Sequence, residues 1–104
     1  NGNAFYNLGI ILKNQNLYDQ AIKMFEQSIN AYKKSSYKNI SIAKAYSSIG
    51  LCYLSLNKFE KMKEYFLKVI EYDEEQELAL GFIYYAKLYC GEWIYMRNFI
   101  FLLQ

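Results

Sequence analysis

Apolar residues recur at intervals of three and four along most of the chain, which is the spacing of one face of an α-helix. The first such series contains Phe5, Leu8 and Leu12, and a second series runs from Leu17 to Tyr32. Alternation of apolar and polar residues, the pattern of a β-strand, does not hold over any long run. The pattern therefore predicts a succession of helices without a sheet.

Short polar segments separate these helices. The segment Asn14-Gln15-Asn16 ends the first series, and we expect Asn16 to cap the second helix, which ends near Lys33-Lys34. A polar stretch follows at 35–39. Proline is absent and only five residues are glycine, which favours long helices with few forced turns. Further helices are predicted at 42–55, at 58–72, from the acidic residues after 72 to about 90, and at 92–104.

One pattern of small and bulky residues occurs twice, 41 residues apart. Its two copies are Phe5-x-x-Leu8-Gly9-x-x-Leu12 with Ala21-x-x-x-Phe25, and Tyr46-x-x-Ile49-Gly50-x-x-Tyr53 with Met62-x-x-x-Phe66. In both copies the glycine precedes the first anchor of the second helix by 12 residues. Because a glycine lets two helices approach closely, we expect Gly9 and Gly50 to lie at tight crossings within two hairpins.

The pattern resembles the tetratricopeptide repeat (TPR), a helix–turn–helix unit of about 34 residues. The resemblance covers nearly the whole chain. It implies an all-α fold, an α-α superhelix of about three helical hairpins (a TPR-like solenoid), in which the first helices line a concave groove. We expect a single domain at 1–104, with repeats at about 2–38, 42–75 and 77–104, that is a fragment of a longer protein.

The chain departs from the family pattern at three places. The first step is 41 residues, so about seven residues are added, and we expect them between the repeats at 35–41. Met62 stands where a small alanine is usual. A third unit matches the first helix from Phe82 to Tyr89 but does not match the second helix. Long repeats rich in Tyr and Lys are similar to those of bacterial peptide-pheromone-responsive regulators of the Rap type.

The TPR resemblance also implies which side chains face the groove. Asn7 matches an asparagine that in the family clamps the backbone of a bound peptide, and its amide offers a donor and an acceptor together. Chaperone-binding members grip a C-terminal carboxylate with a Lys/Asn set that is not matched here. The predicted peptide-binding groove contains Asn3, Tyr6, Asn7, Ile10, Lys13, Asn14, Lys44, Ser47, Ser48, Leu51, Tyr84 and Lys87.

The end of the chain is apolar on all faces and carries no charge after Arg97. A helix that is apolar all round must be buried on more than one side. Either a following repeat covers this segment or it packs against another chain, and we predict a homodimer through the C-terminal helix. The predicted interface residues are Trp93, Phe99, Ile100, Phe101, Leu102 and Leu103.

Composition argues against catalysis and against nucleic acid. Histidine is absent, which removes the commonest general base and metal ligand. The acidic residues between Asp73 and Glu77 open a predicted helix, where they stabilise its dipole. Twelve basic and ten acidic residues give a net charge of +2, too small to indicate nucleic acid or an anionic membrane. We expect Cys52 and Cys90 to be small buried residues in a reducing compartment, and no metal site and no cofactor.

The sequence therefore predicts a non-catalytic module that holds a peptide or protein segment in its groove, within a cytoplasmic, bacterial regulatory protein. The alternative is a structural repeat that serves self-association and has no groove ligand. The apolar C-terminus favours the alternative, whereas the polar and aromatic groove favours the first hypothesis. A third hypothesis, that the segment belongs to an enzyme or to a DNA-binding regulator, depends on the flanking sequence.

Overall fold

The structure, a computed structural model, describes residues 1–35, 39–73 and 80–84. These residues form four α-helices and the helical segment 80–84, and they contain no strand. The helices pack as two hairpins, α1 with α2 and α3 with α4, and α2 also packs against α3. The predicted all-α architecture is therefore confirmed. The four helices are α1 (Gly2–Asn14), α2 (Tyr18–Lys34), α3 (Asn39–Ser55) and α4 (Phe59–Tyr72).

The turn between α1 and α2 is a helix C-terminal motif built around Asn16. Asn16 has a φ of 64°, in the left-handed region. The N–H of Leu17 donates to the carbonyl of Leu12, and the N–H of Asn16 donates to that of Lys13, both at 2.9 Å. These bonds satisfy carbonyl groups that the end of a helix leaves without partners, which is the Schellman arrangement.

The same turn closes the second hairpin at Asn57, whose φ is 58°. There the N–H of Lys58 donates to the carbonyl of Tyr53 at 2.9 Å. The expectation that Asn16 caps the start of α2 is wrong. The N-cap of α2 is Leu17, without a side-chain hydrogen bond, because asparagine here supplies the left-handed residue after α1.

The residues added to the repeat do not all form a connecting loop. Both α2 and α3 contain 17 residues, and α3 begins at Asn39, three residues before the predicted start. Residues 39–41, which we expected to lie between the repeats, therefore belong to α3. Neither proline nor glycine occurs between 35 and 41, so nothing in this stretch forces the helix to start later.

Bulky side chains from the second helices fill the core beneath the two glycines. Phe25 and Phe66 are fully buried. A Cβ added to Gly9 would lie 2.6 Å from Cε1 of Phe25, and a Cβ added to Gly50 would lie 2.6 Å from Cε2 of Phe66. The predicted tight crossings are therefore present in both hairpins. Met62, in the position of the usual alanine, is also fully buried.

The two hairpins differ in how the outer face of their first helix is covered. In α3, Ile49 and Cys52 are fully buried, and α2 packs on this helix. The corresponding residues of α1, 41 positions earlier, are Leu8 and Ile11, and they are 43% and 54% exposed. Within the described residues, therefore, α1 has an apolar face that no second helix covers.

Candidate protein-binding groove

The first helices of the two hairpins, α1 and α3, meet on one side of the molecule. The hydroxyl groups of Tyr6 and Ser48 lie 3.5 Å apart and join the two helices. The ring of Tyr6 also packs on the ring of Phe25 with 5.5 Å between centroids. Tyr6 thus links the core of the first hairpin to the second. We call the side that carries the predicted groove residues of these helices the α1–α3 face.

The predicted groove residues differ in their accessibility. Four are exposed to solvent: Asn3, Asn7, Asn14 and Lys44. Others are partly buried and contribute surface between the exposed ones: Tyr6, Ile10, Lys13, Ser47, Leu51 and Tyr84. The α1 and α3 members lie on neighbouring helices. Lys87 lies outside the described residues.

Ser48 is part of the scaffold beneath this face. It is 6% exposed, and its hydroxyl donates to the carbonyl of Lys44, one turn earlier, at 3.1 Å. Its oxygen is also the group that Tyr6 approaches. The hydroxyl is therefore engaged within the protein, and it fixes Tyr6 relative to α3.

Asn7 presents its side chain to solvent. It follows Tyr6 and is exposed, and among the described residues none hydrogen-bonds to its amide. Asn3, one turn earlier, accepts a hydrogen bond from the hydroxyl of Tyr32 at 2.7 Å through its Oδ1. The two asparagines therefore differ: Asn3 is tied to α2, whereas the amide of Asn7 is available to pair with a peptide group.

The charged side chains predicted for this face are lysines. Lys13 and Lys44 belong to the described part of the set, which contains no carboxylate. In the parts of the chain that the structure describes, no three His, Cys, Asp or Glu side chains are placed to hold a metal ion. The face therefore offers amide, hydroxyl, aromatic and ammonium groups.

A second groove, which the sequence did not predict, lies between α2 and α4. We call it the lysine–tyrosine groove, and its lining includes Glu26, Asn30, Lys33, Tyr46, Tyr65 and Lys68. A spacing signal was present, because Glu26, Asn30 and Lys33 follow one another at intervals of four and three along α2. The contribution of Tyr46 from α3 depends on tertiary packing.

Comparison with known proteins bears on the family. The model of the tetratricopeptide repeat family matches residues 2–75. The chain belongs to this family. TPR domains are protein-interaction scaffolds and are generally non-catalytic. The chain is therefore a protein-interaction module.

Two similar proteins show how much of a relative's length this chain covers. The uncharacterized protein ycf37 of Guillardia theta is 30% identical over 86 residues, which are 80% of this chain and 47% of that protein. The N-terminal domain of stress-induced protein-1 (STI-1) from C. elegans has a similar structure, with a TM-score of 0.75 and 16% identity. The match covers 79% of this chain and 65% of that domain. The TPR chain thus spans about half the length of the first relative.

Several predictions fall outside the described residues. These are the second helix of the third repeat, the position of Cys90, and the homodimer interface at Trp93, Phe99, Ile100, Phe101, Leu102 and Leu103. They stay predictions, as does the resemblance to Rap-type regulators. The burial of Cys52 is confirmed. In the described residues no helix has both the length and the apolar character needed to cross a membrane.

Proposed function

We propose that this TPR module binds an extended peptide or protein segment on the α1–α3 face, without catalysing a reaction. The observation that carries the proposal is the exposed amide of Asn7, placed beside the Tyr6–Ser48 contact that joins α1 to α3. The cytoplasmic location, the bacterial source and the role in a regulatory protein belong to the same proposal and rest on the Rap-type resemblance.

The chemistry of this face suits a peptide backbone. A backbone carries a donor and an acceptor at each residue, and an asparagine amide can pair with both. Partly buried Ile10 and Leu51 supply apolar contact on either helix, since binding sites combine apolar lining with a few placed polar groups. Because Ser48 holds Tyr6 in place, part of the surface is organised before a ligand arrives, which lowers the entropic cost of binding.

The charge of the face indicates the kind of segment. Lys13 and Lys44 are its described charged groups, and the described members of the set include no acid. An acidic side chain in the ligand would therefore gain charge complementarity, which favours correct register and faster association. We propose that the preferred segments carry Asp or Glu beside polar or apolar residues.

The test is a peptide array probed with the chain, followed by affinity measurement on the strongest acidic peptides. Asn7→Ala should weaken their binding by roughly five- to thirtyfold, the cost of one or two lost peptide hydrogen bonds, with helicity by circular dichroism unchanged. The matched control is Gln27→Ala, which removes an exposed amide from α2 and should leave affinity unchanged. Equal affinity of wild type and Asn7→Ala would refute the groove assignment.

A second candidate function is self-association as a structural repeat. The observation that favours it is the apolar face of α1, where Leu8 and Ile11 are 43% and 54% exposed, because exposed apolar surface marks association sites. Light scattering at tens of micromolar should then show a species heavier than 12.4 kDa, and Leu8→Ser with Ile11→Ser should reduce it. A monomer at that concentration would exclude this candidate and the proposed C-terminal homodimer.

A further inference from the structure

The lysine–tyrosine groove lies between the second helices of the two hairpins. Glu26, Asn30 and Lys33 line it from α2, and Tyr65 and Lys68 line it from α4, with a cavity of about 220 Å³ between them. Its floor includes Tyr46 of α3, which is 8% exposed. None of the lining residues belongs to the α1–α3 face, so the groove is separate from the proposed peptide site.

Two lysine side chains converge on the floor of this groove. The ammonium group of Lys33 donates to the hydroxyl of Tyr46 at 3.1 Å and lies beyond that hydroxyl, 5.6 Å from the centre of the ring. The ammonium group of Lys68 lies 5.7 Å from the same ring and 5.3 Å from the ring of Tyr65. A cation at this distance from an aromatic face is attracted by the ring quadrupole, as Lys68 is. Both long side chains are thus held at the same tyrosine, Lys33 by a hydrogen bond and Lys68 by its ring contacts.

The positive charge at this point is not neutralised within the described residues. Among the described residues, Lys61 forms an ion pair with Glu64, outside the groove. Neither Lys33 nor Lys68 contacts a carboxylate in that part of the chain. Glu26 is the acid in the lining, and its Oε1 accepts a hydrogen bond from Tyr65 at 3.4 Å. The lining therefore has two cations and one carboxylate, which leaves an excess of one positive charge.

The protonation states keep this arrangement at neutral pH. The hydrogen bond to Tyr46 raises the pKa of Lys33 above its usual value, so its ammonium group stays charged. Burial, followed by the charge of Glu26, raises the pKa of Tyr65 to about 12, so its hydroxyl stays a donor. The bond to Tyr46 uses one of the three N–H groups of the Lys33 ammonium.

We propose that the lysine–tyrosine groove binds an oxyanion, a phosphate or carboxylate group, between the ammonium groups of Lys33 and Lys68. An anion with two or more oxygens can accept from both, and charge-assisted hydrogen bonds of this kind are the stronger ones. The exposed amide of Asn30 adds a donor beside Lys33. Because the tyrosine rings already restrain both lysines, less side-chain entropy is lost on binding. The site would give the module a second contact, for a phosphorylated or acidic segment.

The probes are inorganic phosphate, acetate, and a neutral peptide with one phosphoserine beside its unphosphorylated form, all at constant ionic strength. Backbone amide shifts of Lys33, Tyr46 and Lys68 should move saturably on addition of at least one oxyanion. Lys33→Gln with Lys68→Gln should weaken that binding by about tenfold or more. The control, Lys34→Gln with Lys61→Gln, removes the same charge from the same two helices and should leave binding within about twofold.

Comparison of these probes distinguishes a phosphate ligand from a carboxylate ligand, and a free ion from a protein segment. Saturable binding of phosphate but not acetate identifies a phosphate site, and stronger binding of the phosphoserine peptide than of phosphate assigns the ligand to a protein segment. Binding of acetate as strongly as phosphate identifies a carboxylate site. Absence of saturable shifts with every probe overturns the proposal, and so does equal weakening in both double variants. Tyr46→Phe, which keeps the ring and removes the hydroxyl, should weaken binding less than loss of both lysines.

Discussion

Gly9 and Phe25 are packed so closely that a Cβ at Gly9 would lie 2.6 Å from Cε1 of the ring. Gly50 and Phe66, 41 residues later, show the same 2.6 Å separation. Real Cβ atoms do not approach a ring carbon to this distance, so each glycine allows its hairpin to close around a buried phenylalanine. The pair is therefore the unit that the TPR sequence repeats, and it determines how near α1 lies to α2 and α3 to α4.

Gly9→Ala and Gly50→Ala should each destabilise the chain by about 1–2 kcal/mol. An alanine gains up to about 1 kcal/mol of helix propensity, but the displaced ring costs about 1–3 kcal/mol through overpacking. Gly81→Ala is the matched control, because no described residue lies within 4 Å of a Cβ at that helical position. It should be neutral or stabilising. Urea unfolding gives all three free energies, and equal values for Gly9→Ala and Gly81→Ala would contradict the close-packing account.

The sequence predicted local structure correctly where a residue type has a single structural role. The spacing of Gly9 from Phe25 predicted a crossing because a glycine before a bulky anchor serves close approach. Asn16 was assigned wrongly because asparagine serves both the start of a helix, through its side chain, and the end of one, through its left-handed backbone. The choice between these depends on φ, and the backbone angle of 64° at Asn16 is known only from the structure.

The side-chain contacts in the two grooves also depend on tertiary packing, which residue spacing does not reveal. The burial of Ser48 depends on its hydrogen bonds to Lys44 and to Tyr6, and a serine in a face pattern does not reveal them. The site at Lys33 and Lys68 needs Tyr46 from a third helix. Pattern analysis compares residues within one helix or between repeats, so it could not bring these three side chains together.

The left-handed asparagines make a prediction that distinguishes the two turns. Asn57→Gly should be neutral or stabilise the chain by a few tenths of a kcal/mol, because glycine adopts positive φ without steric cost. Asn16→Gly should be less favourable by roughly 0.5 kcal/mol, since the hydroxyl of Tyr18 donates to Oδ1 of Asn16 at 2.8 Å in an exposed site.

Alanine at these positions is the complementary test. Asn16→Ala and Asn57→Ala should each be about 1–2 kcal/mol less stable than the corresponding Gly variant, because alanine places a Cβ in the left-handed region without the polar side chain that makes asparagine tolerated there. Free energies from thermal or urea unfolding check both series. Equal stability of the Gly and Ala variants at Asn57 would show that its positive φ does not contribute to the turn.

The uncovered face of α1 predicts an asymmetry between equivalent positions. Ile49→Ala should cost about 2–5 kcal/mol, because Ile49 is fully buried. Leu8→Ala, at the corresponding position 41 residues earlier, should cost less than about 1 kcal/mol, since Leu8 is 43% exposed. Equilibrium unfolding at low protein concentration measures both. A cost at Leu8 as large as that at Ile49 would mean that another element covers α1 in solution.

The buried thiol of Cys52 makes stability depend on alkaline pH. Burial raises the pKa of Cys52 from 9.0 to about 11, although the charge of Lys13 acts in the opposite direction. Between these values the unfolded chain loses the thiol proton and the folded chain keeps it. The unfolded state therefore binds fewer protons, and the free energy of unfolding falls as pH rises. The contribution is complete below pH 9.0 and is lost towards pH 11, up to about 2–3 kcal/mol in all.

Cys52→Ala isolates this contribution from that of the tyrosines. Burial also raises the pKa of Tyr65, from 10.0 to about 12. Ionisation of this tyrosine in the unfolded chain therefore lowers the free energy of unfolding as well, but at higher pH than that of Cys52. Urea unfolding under reducing conditions at about pH 8, 9 and 10 should show a steeper loss of stability in the wild-type chain than in Cys52→Ala. The variant is less stable at every pH because it leaves a small cavity, so the slope and not the value is compared. Parallel slopes would show that the thiol of Cys52 ionises equally in the folded and unfolded states.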